Sequence, residues 1–177
     1  MPDGEKLRRA LQQEALRLLV RREHSRLELE QKLGRKLASF PEAAELEAEE
    51  RKAVLSKVLD GLNERCWQSD QRFAQQRVTH RGARYGDQRL KQELSLRGVD
   101  AEVINDALSS GENELFRCRN VWLKKFGGPA ENREGFAKQV RFLQYRGFSG
   151  ATIRQVLKSS SDDSIIETIL ESNPEES

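Results

Sequence analysis

The residues able to do chemistry are few and scattered. His24 and His80 stand far apart, and neither has a second ligand at metal-binding spacing. A zinc site needs three or four donors gathered by short spacings, so both read as surface or cap residues. Cys66 and Cys118 can form at most one bridge and lie near no histidine in a usable motif. They read as reduced thiols of a cytoplasmic protein. Lys124-Lys125-Phe126-Gly127-Gly128-Pro129 is glycine-rich. It lacks the Gly-Lys-Ser/Thr ending of a phosphate loop, and reads as a helix stop. The carboxylates fall in solvated acidic runs, with no pair marked for acid–base work. Trp67, Phe73, Trp122 and Phe126 are of a type that stacks on bases, but at helical spacing they read as core. The expectation is a protein that is not an enzyme and holds no metal and no cofactor.

What remains is charge. The net charge is only +2, yet it is unevenly spread. Between Gln71 and Gln92 lie Arg72, Arg77, Arg81, Arg84, Arg89 and Lys91 against the single acid Asp87. Between Gly135 and Ser161 lie Lys138, Arg141, Arg146, Arg154 and Lys158 with no acid at all. Acidic blocks at 42–50 and after Lys158 offset them. Such asymmetry points to basic faces aimed at an anionic partner. The stretch Leu7 to Val20 is broken by charged and amide residues, which excludes a signal peptide there. No apolar run approaches the roughly 20 residues of a membrane span.

The elements that must position these residues are helices. Leu7, Leu11, Ala15 and Leu18 recur at helical spacing, predicting an amphipathic helix to about Glu23. Ser25-Arg26-Leu27-Glu28 is a capping box, in which the serine caps forward and the glutamate reaches back. Residues 38–44 read as a loop, and a third helix starts near Glu45. Ser69-Asp70 caps the next helix, and Ser149 the last. Ile165, Ile166, Ile169 and Leu170 predict a short terminal helical stretch before a disordered acidic tail.

The chain also repeats itself. LSLRGVDAEVINDAL at 94–108 and LQYRGFSGATIRQVL at 143–157 align on Arg97-Gly98 and Arg146-Gly147. Glycine takes the left-handed turn that ends a helix, an apolar residue folds back, and a short polar residue starts the next helix. The phrase spells helix, corner, helix. The apolar doublets Val54-Leu55 and Val58-Leu59 recur as Val103-Ile104 and Ala107-Leu108, then as Thr152-Ile153 and Val156-Leu157. The fold predicted is all-α, an elongated array of three tandem three-helix repeats at 1–64, 65–111 and 112–160, followed by an acidic tail at 161–177.

These residues carry a family resemblance. ALRLLVRREHSRLELEQKL, from Ala15 to Leu33, resembles the first repeat of the RecX family of RecA regulators. Asp70-Gln71-Arg72-Phe73-Ala74 is similar to that family's acidic-x-Arg-Phe-Ala helix start. Arg89-Leu90-Lys91-Gln92-Glu93-Leu94, Arg97-Gly98-Val99, Arg141-Phe142-Leu143 and Tyr145-Arg146-Gly147-Phe148 continue the match. There are departures. Arg84-Tyr85-Gly86-Asp87 stands where the family has Gly-Tyr-Gly-Pro, so Asp87 is expected to start the middle helix by capping it. Cys66-Trp67-Gln68-Ser69-Asp70 stands in place of Gly-Tyr-Leu-Asp-Asp. The resemblance implies a cytoplasmic, monomeric protein that binds the RecA filament on single-stranded DNA. Lodged in the filament's groove, it would inhibit recombinase, ATPase and co-protease activities. Arg72, Arg77, Arg81, Arg84, Arg89 and Lys91 are the expected central contact face, with Lys138, Arg141, Arg146 and Arg154 as a second. A stand-alone single-strand binder and a generic helical-repeat adaptor are the alternatives.

Overall fold

The computed structural model describes residues 2–157. Its elements are α1 (Pro2–Arg21), α2 (Arg26–Leu37), a single 3-10 turn (Pro41–Ala43) and α3 (Ala48–Glu64). There follow α4 (Asp70–Gly82), α5 (Asp87–Ser95) and α6 (Ala101–Ser109), then α7 (Glu114–Phe126), α8 (Arg133–Tyr145) and α9 (Gly150–Leu157). Among the described residues there is no strand, and no helix is long and apolar enough to cross a membrane. The expected terminal helical stretch and acidic tail lie outside the described residues.

The doublets are the buried faces of the third helix of each triplet. Leu55, Val58 and Leu59 are buried on α3, Ile104, Ala107 and Leu108 on α6, and Ile153, Val156 and Leu157 on α9. Spacing four apart on a 3.6-residue turn keeps them on one stripe. Each fully buried large aliphatic side chain contributes about 2 kcal/mol.

Among the described residues two compact units emerge: 2–76 with Ser95–Val103, and Arg77–Leu94 with 104–157. In the first, Leu7, Leu11 and Ala15 of α1 pack with Leu29 and Leu33 of α2 and with the α3 stripe. In the second, Cys118 and Trp122 of α7 pack with Phe136, Val140 and Leu143 of α8 and with Phe148 and the α9 stripe. Trp122 Nε1 donates to Gln139 Oε1 at 2.9 Å, and Gln139 Nε2 donates to the Gly128 carbonyl at 3.0 Å, fixing the loop after α7. Gly127 ends α7, its N–H donating to the Leu123 carbonyl, as the helix-stop reading expects.

The division falls inside the middle triplet, and the twice-written phrase accounts for it. The corner after α5 docks on the start of α2: Ser25 Oγ donates to the Arg97 carbonyl at 2.8 Å. The corner after α8 docks on the start of α5: Gly86 N donates to the Arg146 carbonyl at 2.9 Å, and Gln88 N to the Gly147 carbonyl at 3.1 Å. Both corner glycines have positive φ, Gly98 at 73° and Gly147 at 79°. A Cβ on Gly98 would lie 2.9 Å from Leu27 Cβ, and one on Gly147 only 2.7 Å from the Arg89 nitrogen. Glycine is required twice over, by the turn and by the close approach.

The caps follow expectation in part. Ser25 accepts from Glu28 N, Ser69 from Arg72 N and Ser149 from Thr152 N. Glu28, however, turns its carboxylate to His24, Arg22 and Arg97 rather than back along the chain, because three cationic or ring N–H donors outbid one backbone N–H. A reach-back occurs instead at Glu47, whose N–H donates to Glu50 Oε2 at 3.0 Å, so α3 begins at Ala48 and not near Glu45.

Candidate functional site

The second unit gathers three arginines around one ring. Tyr85 sits in the α4–α5 connection, half-buried. The guanidinium carbons of Arg81 and Arg89 each lie 4.5 Å from its ring centroid, and that of Arg146 lies at 5.4 Å. The corner contact makes this possible, since it brings Arg146 beside the first turn of α5, where Arg89 stands. Arg89 also lies 5.5 Å from the centroid of Tyr145 and donates to the Tyr145 carbonyl at 3.1 Å. Arg146 reaches Phe142 as well, at 5.1 Å. Like charges tolerate this crowding because the ring faces are electron-rich and because Glu93 supplies a carboxylate. Its oxygens lie 3.3 Å from Arg77 Nε and 3.0 Å from Arg81 Nη2.

The ten basic residues expected at a contact face thus divide. Arg81, Arg89 and Arg146 converge on Tyr85, and Arg77 joins them through Glu93. Arg84 and Lys91 are exposed, and stand beside the cluster in sequence. Lys138 and Arg141 are exposed on α8, and successive steps of three and four residues place Lys138, Arg141 and Tyr145 on one helix face. Arg154 is half-buried on α9. Arg72 belongs to the first unit, where Nε donates to Glu23 Oε1 at 2.8 Å and Nη2 to the Trp67 carbonyl at 3.1 Å.

Below the cluster lies a residue that sequence reasoning missed. Arg117 on α7 is 3% exposed. It donates to the carbonyls of Tyr85 at 2.7 Å, Glu112 at 2.9 Å and Gly82 at 3.4 Å, and it pairs with the Asp87 carboxylate. It therefore holds the turn on which Tyr85 stands. Asp87 does not cap α5 as expected, because its carboxylate is taken by this buried guanidinium. Its N–H donates to Glu114 Oε1 at 2.8 Å. Glu114 also accepts from Ser149 Oγ at 3.0 Å and Thr152 Oγ1 at 2.6 Å, tying the starts of α5 and α9 to that of α7.

Other candidates resolve differently. His24 is buried rather than exposed, with Nδ1 3.0 Å from Glu28 Oε2. Burial pushes its pKa down, against the pull of Glu28. Burial alone would raise Glu28, but the His24 hydrogen bond and the Arg22 and Arg97 charges hold it below its ordinary value. His80 is exposed. Phe73 and Trp122 are core, as read from the sequence, whereas Trp67 is 43% exposed with Arg65 over its ring. Cys66 is exposed and Cys118 buried, both as free thiols. Among the described residues no group of acids, histidines and cysteines is placed to hold a metal.

Fold and surface together define a tandem three-helix repeat protein with a basic, tyrosine-bearing face. The description "RecX, second three-helix domain" matches residues 69–108, and "RecX, third three-helix domain" matches 112–157. A regulatory protein RecX from Chromobacterium violaceum is 44% identical over 160 residues, covering 90% of this chain and 96% of that one. One from Neisseria meningitidis serogroup B is 36% identical, covering 89% and 95%. The crystal structure of RecX from Lactobacillus salivarius superimposes with a TM-score of 0.59 at 19% identity, covering 97% and 96%. The chain belongs to the RecX family of regulatory proteins.

Proposed function

We propose that this chain regulates the RecA recombinase by binding its filament on single-stranded DNA, in the helical groove, and inhibiting recombinase, ATPase and co-protease activity by blocking filament extension. It acts in the cytoplasm, as a monomer, and takes part in recombination, repair and the SOS response. The contact residues are Arg77, Arg81, Arg84, Arg89, Lys91, Lys138, Arg141, Arg146 and Arg154 of the second unit and, by itself in the first unit, Arg72. Family membership supports the reading, and the observation that carries it is the convergence of Arg81, Arg89 and Arg146 on Tyr85. Such a concentration of guanidinium groups suits an anionic filament, and its contribution weakens with salt.

The test is DNA-stimulated ATP hydrolysis by the RecA of the same organism, with this protein added after filaments form. Reversing Arg77 and Arg81 would place two new acids on Glu93 and disturb the fold, so the informative variant is Lys138→Glu with Arg141→Glu, both exposed on α8. Inhibition by the wild type that falls at least tenfold in the folded variant supports the reading. Inhibition that appears only where bare strands are coated overturns it in favour of a stand-alone single-strand binder.

A further inference from the structure

We infer that Tyr145 is a stacking platform for a base of single-stranded nucleic acid, with the arginines gathered at Tyr85 meeting the adjoining phosphates. The assignment rests on the reading above that this face meets the filament's DNA. The geometry is a run of guanidinium–ring contacts that links two tyrosines. Arg81 and Arg146 lie over Tyr85, and Arg89 lies within reach of both rings, 4.5 Å from the Tyr85 centroid and 5.5 Å from that of Tyr145. The run ends in Tyr145, which is 77% exposed. An exposed tyrosine is ordinary in itself. This one is backed by a guanidinium pinned to its own carbonyl at 3.1 Å. It also stands on the helix face of Lys138 and Arg141, both exposed.

The chemistry selects the partner. A carboxylate on a protein satisfies a guanidinium but gains nothing from an open ring. A nucleotide uses both, its base stacking on the open ring and its phosphate meeting the cations. Stacking on a ring tolerates any base, so recognition here is of single strands without sequence preference. A duplex, whose bases are already stacked, offers no plate.

The probe is a fluorescein-labelled oligodeoxythymidine, titrated with the full chain and followed by anisotropy across a salt series. Tyr145→Ala weakens binding by about tenfold, within the range such truncations give, and leaves the salt slope unchanged. Tyr145→Trp restores it. Arg141→Gln acts on the other variable, lowering the salt slope by about 0.7. Tyr145 is at the surface, so helix content by circular dichroism is retained in each variant. Wild-type affinity in Tyr145→Ala overturns the inference. So does failure of the wild type to bind the strand, while ATPase inhibition stands or falls separately. Loss of ATPase inhibition in Tyr145→Ala with unchanged strand binding assigns the ring to a protein contact, which overturns the nucleic-acid assignment and leaves the regulatory reading intact.

Discussion

The N–H of Gly86 donates to the carbonyl of Arg146 across 2.9 Å, fastening the corner after α8 to the residue that precedes α5. The same service is done for α2 by Ser25, whose hydroxyl donates to the carbonyl of Arg97 at 2.8 Å. Each Arg-Gly corner is thus a joint, and each joint rests on a glycine with no room beside it.

Gly147→Ala tests the joint. Its left-handed backbone costs an alanine about 1 kcal/mol, and the overlap with Arg89 adds about 2 kcal/mol. Urea denaturation should show a loss near 3 kcal/mol, with the melting temperature lowered by about 6–12 °C. Gly34→Ala is the control. It lies within α2 with nothing within 4 Å of its added Cβ, and should gain about 0.5–1 kcal/mol.

Arg117→Ala removes the guanidinium that satisfies three carbonyls and Asp87. A buried partner removed in this way costs about 3–5 kcal/mol. Arg117→Lys keeps the charge but cannot span the same acceptors, and should recover less than about half of that loss. Both are read by thermal denaturation, and a loss under about 1 kcal/mol for the alanine variant would count against the anchoring role.

Acid should weaken the fold through His24. Its folded pKa lies below its ordinary 6.5, so the unfolded chain binds the proton more readily. The stability it contributes is present above pH 6.5 and is lost as pH falls from there through the folded value. Glu28, held below 4.5, adds a second loss as pH falls through and below that value. Urea midpoints at pH 7.5 and 5.5 should differ, and His24→Gln should flatten the upper part of the profile.

The two thiols should react unequally. Cys66 is exposed, while burial and the nearby Glu114 push Cys118 up to about 12. Since the thiolate is the nucleophile, iodoacetamide at pH 8 should label the native protein once, at Cys66, and the denatured chain twice. Mass spectrometry counts the adducts.

Much of this was legible in advance. The doublets announced α3, α6 and α9 because burial on one helix stripe leaves a periodic trace. The corners were legible because only glycine suits them. Arg117 was not legible, because three of its partners are backbone carbonyls, which every residue carries. The Tyr85 cluster was half legible: its arginines were named, but Arg81 and Arg146 meet only through a joint that no local pattern encodes. His24 looked solvent-facing because nothing in its neighbours shows that Gln68, donating to its carbonyl at 3.3 Å, closes over it.

The joints have a bearing on how such a protein can be taken apart. The first triplet leans on residues that follow it: Arg26 N donates to Asp70, Glu28 pairs with Arg97, and Leu27 lies under Gly98. A chain cut after residue 64 would lose all three. The repeat is therefore a unit of sequence without being a cassette that can be lifted out. The phrase is repeated in sequence, while the division of the folded units falls within its first copy, so that a fragment must run past Gly98, rather than stop at a repeat's edge, to keep these three contacts.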